Sequence, residues 1–429
     1  MARLGRWGSL LDPSFASGVA ELSVGATACL VVYVLLRKRR LLATQRPPLP
    51  TPGEEKPKRS KRNSSEEIMS LSPPAGWPSI EGMQVSSHTN GQGLRLLTFR
   101  FETAKRPPKA GVVLVHGVGV GCRHEFLRAT FKGGPHARYE GSILQVLRDA
   151  GITVLTYDQQ SLGDSQPVLE GKRCYFHRFD DLAHDLLGIH EEFAASLPAG
   201  TPIFWLGLSM GGGVVTRAAQ LRPPSASPLE GLVLLAPMIS LTKVRQEYFF
   251  KPLGLRNQHL YGVMHQLSAL FPTLPLAKRA INTVHPHMEE ELVNEPTNWT
   301  QPFRIRVATE CTIITEAFME EGGEASLEHV KVPNLLAIHS KVDTFVEPLG
   351  SVAVFERADI AANRSLVLMG GGPDGPNGEL RQEGPPRAAA ALGKITDLGM
   401  WHALAVEPRC DEVATAIAEW LTAVSHARK

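Results

Sequence analysis

This 429-residue chain is short of cysteine and of net charge. Its five cysteines, at 29, 122, 174, 311 and 410, are odd in number and far apart, with no CxxC pair or metal-type spacing. That argues against a disulfide framework and a thiolate metal site, and the residues read as reduced thiols. Forty-five Lys and Arg against 43 Asp and Glu leave a formal charge of +2, too small a bias to suggest a nucleic-acid partner. No repeat with a period of roughly 20 to 50 residues is visible, which excludes solenoids and propellers. No motif calls for a metal or an organic cofactor. What is present is ordinary globular composition, 43% hydrophobic and 21% charged, sufficient for a sizeable core.

The front of the chain differs from the rest. Residues 1–16 form a short tail, and residues 17–36, SGVAELSVGATACLVVYVLL, hold a single charge, Glu21, before the cluster RKRR at 37–40. About twenty such residues just span a bilayer, and positive charge following the apolar run fits an uncleaved anchor better than a signal peptide. A buried helix or an organelle presequence is the alternative. Ten Lys or Arg against two Glu between 37 and 62 would place the bulk of the chain in the cytosol as a single-pass protein and would favour an anionic membrane surface. The Pro-, Ser- and Lys-rich stretch 37–79 reads as a solvated linker, so the main domain is expected over 80–429.

Within that domain strand and helix patterns alternate. GLRLLTFRFE (93–102) alternates like an edge strand, and AGVVLVHG (110–117) is a continuous apolar run suited to a strand covered on both faces. GSILQVLRDAG (141–151) reads as a helix stopped by Gly151, ITVLTYD (152–158) as a strand and FDDLAHDLLGIHEEF (179–193) as a helix. GLVLLAP (231–237) and VPNLLAIHS (332–340) supply further strands. This βαβ rhythm predicts an α/β fold with a mostly parallel sheet, whose ligands lie beyond the carboxyl ends of the strands. Residues 240–330 break the rhythm: Leu260, Val263, Met264, Leu267, Leu270 and Phe271 recur at helical spacing with no strand signal. They predict a helical cap, most of whose apolar residues pack it onto the core and which together would roof a site. DEVATAIAEWLTAV (411–424) predicts a closing amphipathic helix with Asp411 as N-cap.

The chemistry starts from FWLGLSMGGGVV (204–215), where Ser209 stands between Gly207 and Gly211 after an apolar run and before helix formers. GxSxG alone is a weak signal. Strand, tight turn and helix in that order are the context a nucleophile elbow requires, and side chains at 207 or 211 would collide with the neighbouring elements. A serine hydroxyl needs a base and an acid that orients it. Asp343, in the loop after VPNLLAIHS, is the candidate acid, with Glu347 as substitute, and His402 in GMWHALAVEP (399–408) the candidate base. The oxyanion donors would be the backbone N–H groups of Met210 and Val118, the latter in the glycine-rich loop VHGVGVG (115–121). His116 reads as a structural residue at the strand end.

HGVG (116–119), YDQQSLGDS (157–165), GLSMGGG (207–213), VPNLLAIHSKVDTFVEP (332–348) and GMWHALAVEP together resemble the monoacylglycerol lipase and lysophospholipase branch of the α/β-hydrolases, over about residues 93–425. The resemblance implies a membrane-associated serine hydrolase of lipid esters, with Ser209, Asp343 and His402 as triad and the insertion as lid. Three departures stand out. VGCRHEFLRATFKGGPHA (120–137) intervenes before Arg138 and Tyr139, an insertion expected to reshape the pocket mouth; Leu162 and Ser340 replace the usual histidine and glycine. The segment 370–393 is enlarged and Gly/Pro-rich, and a mobile loop is expected there. Esterase or acyltransferase action on small acyl esters, and a non-catalytic binding protein on the same fold, are the competing readings. Sequons at Asn63, Asn298 and Asn363 offer a check on orientation.

Overall fold

Short apolar runs build a nine-stranded sheet in the computed structural model of the protein, which describes residues 71–277, 281–282, 284–371 and 375–426, with backbone alone at 249–250. In chain order the sheet strands are β1 (Met83–Thr89), β2 (Arg95–Phe101), β3 (Ala110–Val115), β4 (Ile152–Tyr157), β5 (Ile203–Leu208), β6 (Gly231–Leu235), β7 (Lys331–Ser340), β8 (Asp359–Met369) and β9 (Glu379–Glu383). Their spatial order is β1-β2-β4-β3-β5-β6-β7-β8-β9. The pairs from β4 to β8 are parallel, whereas β1/β2, β2/β4 and β8/β9 are antiparallel. This is the expected α/β architecture, a mostly parallel sheet of the α/β-hydrolase type.

The largely apolar strands β3, β4, β5 and β6 are buried along their whole length, as strands covered by helices on both faces must be. Helices Phe179–Ser196 and Met210–Leu221 bury Leu182, Leu186, Ile189, Val214 and Ala218 on one face of the sheet. On the other, helices Ile143–Ala150 and Cys410–Ser425 bury Leu144, Leu147, Ile417, Trp420 and Leu421. Ser142 caps the first of these by accepting the Gln145 N–H, and Gly151 ends it at φ 98°, a left-handed value that costs glycine nothing. The chain leaves β3 toward β4 on one side and returns to β5 on the other. The strand order therefore reverses at β3, the position beyond whose carboxyl end open α/β sheets place their ligands.

Four expectations need correction. The strand over 93–102 is β2, which lies inside the sheet because β1 pairs along its outer side; alternation reports one-sided burial, which an inner strand near a sheet margin also shows. Within the segment 370–393, the described residues include β9, antiparallel to β8, and the start of the helix Ala389–Lys394, whose Leu392 is fully buried. A polar run can add an edge strand because its backbone alone makes the ladder. The cap contains two short ribbons, Tyr248–Phe250 with Leu255–Arg256 and Pro275–Ala277 with Phe303–Arg304, besides its helices Tyr261–Leu270, His287–Asn294 and Ile305–Met319. Finally, Arg409 holds the N-cap position of the closing helix, with Asp411 in its first turn, where a carboxylate still favours the helix dipole.

The predicted tail, anchor at 17–36 and most of the linker lie outside the described residues, as does Cys29. Among the described residues no helix is long and apolar enough to cross a membrane, and Cys122, Cys174, Cys311 and Cys410 are buried free thiols.

Candidate active site

Ser209 follows β5 directly and precedes the helix Met210–Leu221. Its backbone sits at φ 54° and ψ −120°, a conformation that costs a residue with a Cβ about 1–3 kcal/mol and persists only where surroundings enforce it. They do. Ser209 N–H donates to Leu235 O at 3.0 Å, and its carbonyl accepts from Met238 N–H at 2.8 Å. The flanking glycines are required by contact: a Cβ on Gly207 would lie 2.3 Å from Gly211 O, and one on Gly211 would lie 2.1 Å from Val115 O. Both obstacles are backbone and cannot step aside. The turn thus presents the serine at the carboxyl edge of the sheet, beside the loop that follows β3.

That loop begins with His116 and Gly117. His116 is wholly buried and neutral, its pKa lowered to about 4 by burial against an opposing hydrogen bond at Gly117. Its Nε2 accepts from Gln159 N–H at 3.0 Å, which leaves Nδ1–H to donate to Gly117 O at 2.8 Å. Because a peptide is planar and trans, holding the Gly117 carbonyl to one side directs the Val118 N–H to the other. Met210 is the first residue of its helix, where amides have no partner within the helix and carry its positive end. His116 is therefore structural, as expected, and acts on the orientation of one expected oxyanion donor.

The carboxyl end of β7 supplies Asp343. Its Oδ1 accepts from the backbone N–H groups of Phe345 at 2.7 Å and Val346 at 3.0 Å. Its Oδ2 lies 2.6 Å from His402 Nδ1 and 3.2 Å from His339 Nε2. Burial alone would raise the pKa of this carboxyl, but the charge of His402 and hydrogen bonds from His339 and His402 prevail and hold it well below the usual carboxylate range. Burial correspondingly lowers the pKa of His402, while Asp343, then Glu125 and Glu407, raise it by more, so the net shift is upward. With Nδ1–H committed to Asp343, the Nε2 lone pair is the one available for a proton. Glu347, the alternative acid, accepts from Ser240 Oγ and Thr242 N–H and is used elsewhere.

Sequence reasoning missed the groups that hold the histidine loop. The buried Glu407 accepts three successive backbone N–H groups, from Trp401 at 2.6 Å and from His402 and Ala403 at 2.8 Å each. Ser340, noted only as a departure from glycine, donates Oγ–H to Met400 O at 2.5 Å, and Trp401 Nε1–H donates to Thr344 Oγ1 at 3.0 Å. These bonds stitch the Asp343 and His402 loops together across 59 residues of sequence. The only available signal was the nearness of Glu407 to the histidine.

The insertion and the cap cover the site, and Ser209 is 4% exposed. Trp299 N–H donates to Gly119 O at 2.7 Å, and the Phe303 ring lies against Gly119. The insertion carries a buried helix, Cys122–Phe126, and a ribbon pairing Arg128–Ala129 with His136–Arg138. Arg123 pairs with the buried Glu295 of the cap, and His136 Nε2 meets Glu291 Oε2 at 3.1 Å. Asn294 Nδ2 donates to Gly133 O at 2.7 Å.

The serine aminopeptidase S33 family pattern, Hydrolase_4, matches residues 132–372, more than half of the chain. That stretch includes Ser209 and Asp343 and stops before His402. Monoglyceride lipase of Rattus norvegicus is 30% identical over 132 residues, 31% of this chain and 36% of that protein. Protein ABHD12B of Homo sapiens is 30% identical over 107 residues, 24% and 26% of the two chains. The matched stretches thus span only about a third and a quarter of these relatives. Among solved structures, the monoacylglycerol lipase of Paleococcus ferrophilus superposes with a TM-score of 0.52 at 20% identity, covering 77% of this chain and 99% of that one. A lipase in its open form superposes at 0.51 with 15% identity, covering 80% and 99%. Both likenesses concern the fold.

Proposed function

On the premise that the chain belongs to the serine aminopeptidase S33 family of α/β-hydrolases, we propose that it is a serine hydrolase of the lipase and esterase type, cleaving monoacylglycerol or a related single-chain lipid ester. The observation that carries this reading is the 2.6 Å Asp343–His402 pair on loops that open at the same sheet edge as the Ser209 elbow. In this mechanism His402 Nε2 takes the proton from Ser209 Oγ as the oxygen attacks the ester carbonyl. The tetrahedral oxyanion is received by the N–H groups of Val118 and Met210. Collapse transfers the proton from His402 to the departing alcohol and leaves an acyl-serine. Water, activated by the same imidazole, then releases the fatty acid and regenerates the hydroxyl. Asp343 stays ionised throughout and stabilises the imidazolium.

The lipid preference is supported by the apolar side chains of the cap and by the stretch at 17–36, which the reading takes as a membrane anchor with the hydrolase domain in the cytosol. An acyltransferase would pass the same intermediate to another alcohol, and a small-ester esterase would share every step. A fluorophosphonate probe tests the central claim. It should label the wild-type protein and leave Ser209→Ala unlabelled; folded wild-type protein that stays unlabelled would favour a non-catalytic binding role. A panel of monoacylglycerols, lysophospholipids and short esters then separates the substrate classes. For orientation, glycan on Asn298 or Asn363 would reverse the cytosolic assignment, although Asn363 is buried and bonded to Asn334 in the folded domain.

A further inference from the structure

The insertion brings one more carboxyl group to the site than a triad requires. Glu125, in the buried helix Cys122–Phe126, is 5% exposed. Its Oε2 accepts the Gly117 N–H at 2.9 Å. A Cβ on Gly117 would lie 3.0 Å from that oxygen and 3.3 Å from Ser209 Cβ, so the carboxyl and the serine flank the same glycine. The residue also acts on His402, whose cationic form it favours. No sequence signal marks it, because it lies in a segment by which this chain departs from its relatives.

From this juxtaposition we infer that Glu125 is a positioning residue, which orients the oxyanion turn through the Gly117 N–H and supports the imidazolium of His402. The role rests on the serine-hydrolase reading above. Gly117 is held at two points, its N–H by Glu125 and its carbonyl by His116. Fixing both peptides that flank its Cα leaves the Val118 N–H little freedom, which matters because a donor misplaced by 1 Å can cost about 100-fold in rate. The carboxyl oxygen lies one peptide before the Val118 donor. Its charge therefore opposes a developing oxyanion less directly than it would at the donor itself, while it still favours a cationic base. Other charged groups surround the carboxyl. His402 and His136 face it from their own loops, Arg123 and His124 share its helix, and Arg123 is paired with cap residue Glu295. Burial raises the pKa of Glu125, and the Gly117 N–H, His402 and His136 oppose that rise.

The full-length protein tests this with two variants. Glu125→Ala removes the acceptor and should lower kcat by about 100-fold with KM within about threefold, with fluorophosphonate labelling slowed in parallel. Glu125→Gln keeps an oxygen for the Gly117 N–H and should retain kcat within about fivefold, since a neutral hydrogen bond replaces a charged one. It removes the charge, so the acid limb of kcat/KM should move to lower pH as His402 loses support for its protonated form. A structural role would not produce that split. Wild-type kcat in Glu125→Ala overturns the inference, and so does Glu125→Gln falling as far as Ala with an unmoved acid limb. Should the alanine variant fail to fold, the limb shift in the isosteric glutamine variant decides. Wild-type protein that does not label overturns the hydrolase reading itself, a result distinct from equal labelling of wild type and Glu125→Ala.

Discussion

The floor of the site and its cap are held by different forces. In the floor, Ser209, Asp343 and His402 sit on loops whose backbone groups are tied to the sheet or to buried side chains, and the strands beneath are apolar and enclosed. The part of the cap between 248 and 295 instead leaves large apolar residues in the open, among them Leu253 at 68% exposed and Leu270 at 57%. It is joined to the rest by polar pairs, Arg123–Glu295, His136–Glu291 and His285–Glu407, the last at 3.7 Å. Residues that must hold a geometry are over-determined by hydrogen bonds and packing. The cap residues are fastened at a few polar contacts, the kind of region from which moving elements are drawn.

The contrast can be broken first at the floor. Ser209→Ala should lower kcat by about six orders of magnitude against the wild type in an ester-hydrolysis assay, while Asp343→Asn, which leaves the imidazole in the wrong tautomer, should cost about 10⁴. A stability effect comes next. Gly211→Ala forces a Cβ into the Val115 carbonyl and should destabilise the fold by on the order of 3 kcal/mol, read by urea unfolding. The pH profile is a milder probe. His402 must be neutral to act, and its pKa is raised, so kcat/KM should fall as pH drops through a value above about 6.5, the ordinary histidine pKa; a midpoint below that value would contradict the Asp343 pairing.

The cap should respond to smaller and more local changes. Glu291→Ala removes the partner of His136 and an acceptor for the Gly133 N–H. Loss of such hydrogen bonds, about 1.5–3 kcal/mol, should raise hydrogen exchange across His287–Asn294 at least tenfold while the sheet amides stay protected. Leu270→Ser, on the exposed surface, should change stability by less than about 0.5 kcal/mol. A large loss of stability there would mean that the cap is held as the floor is.

Legibility in the sequence followed the range of the interactions concerned. The elbow could be read because its demands are local: an apolar strand, a turn too tight for side chains at 207 and 211, and helix formers after it. Asp343 and His402 became candidates because loops at strand ends recur in chain order, and the structure brings these two side chains within 2.6 Å. Asp343 was ranked ahead of Glu347 in the same loop, and the fold turns the first toward His402 and the second toward Ser240. The segment 370–393 was misjudged. Its composition is rich in Gly, Pro and polar residues, yet an edge strand is held by backbone pairing to β8, which composition does not report.

Amino-acid order alone therefore determined the βαβ rhythm and the tight serine turn and singled out the candidate groups at 209, 343 and 402, because periodicity and turn sterics act over a few neighbouring residues. Tertiary structure alone decided that Glu125 reaches Gly117, that Glu407 and Ser340 bind the histidine loop, and that the insertion anchors the cap. Those contacts join residues brought together only when the strands take their places in the sheet, and a buried carboxyl can serve any N–H the fold sets before it.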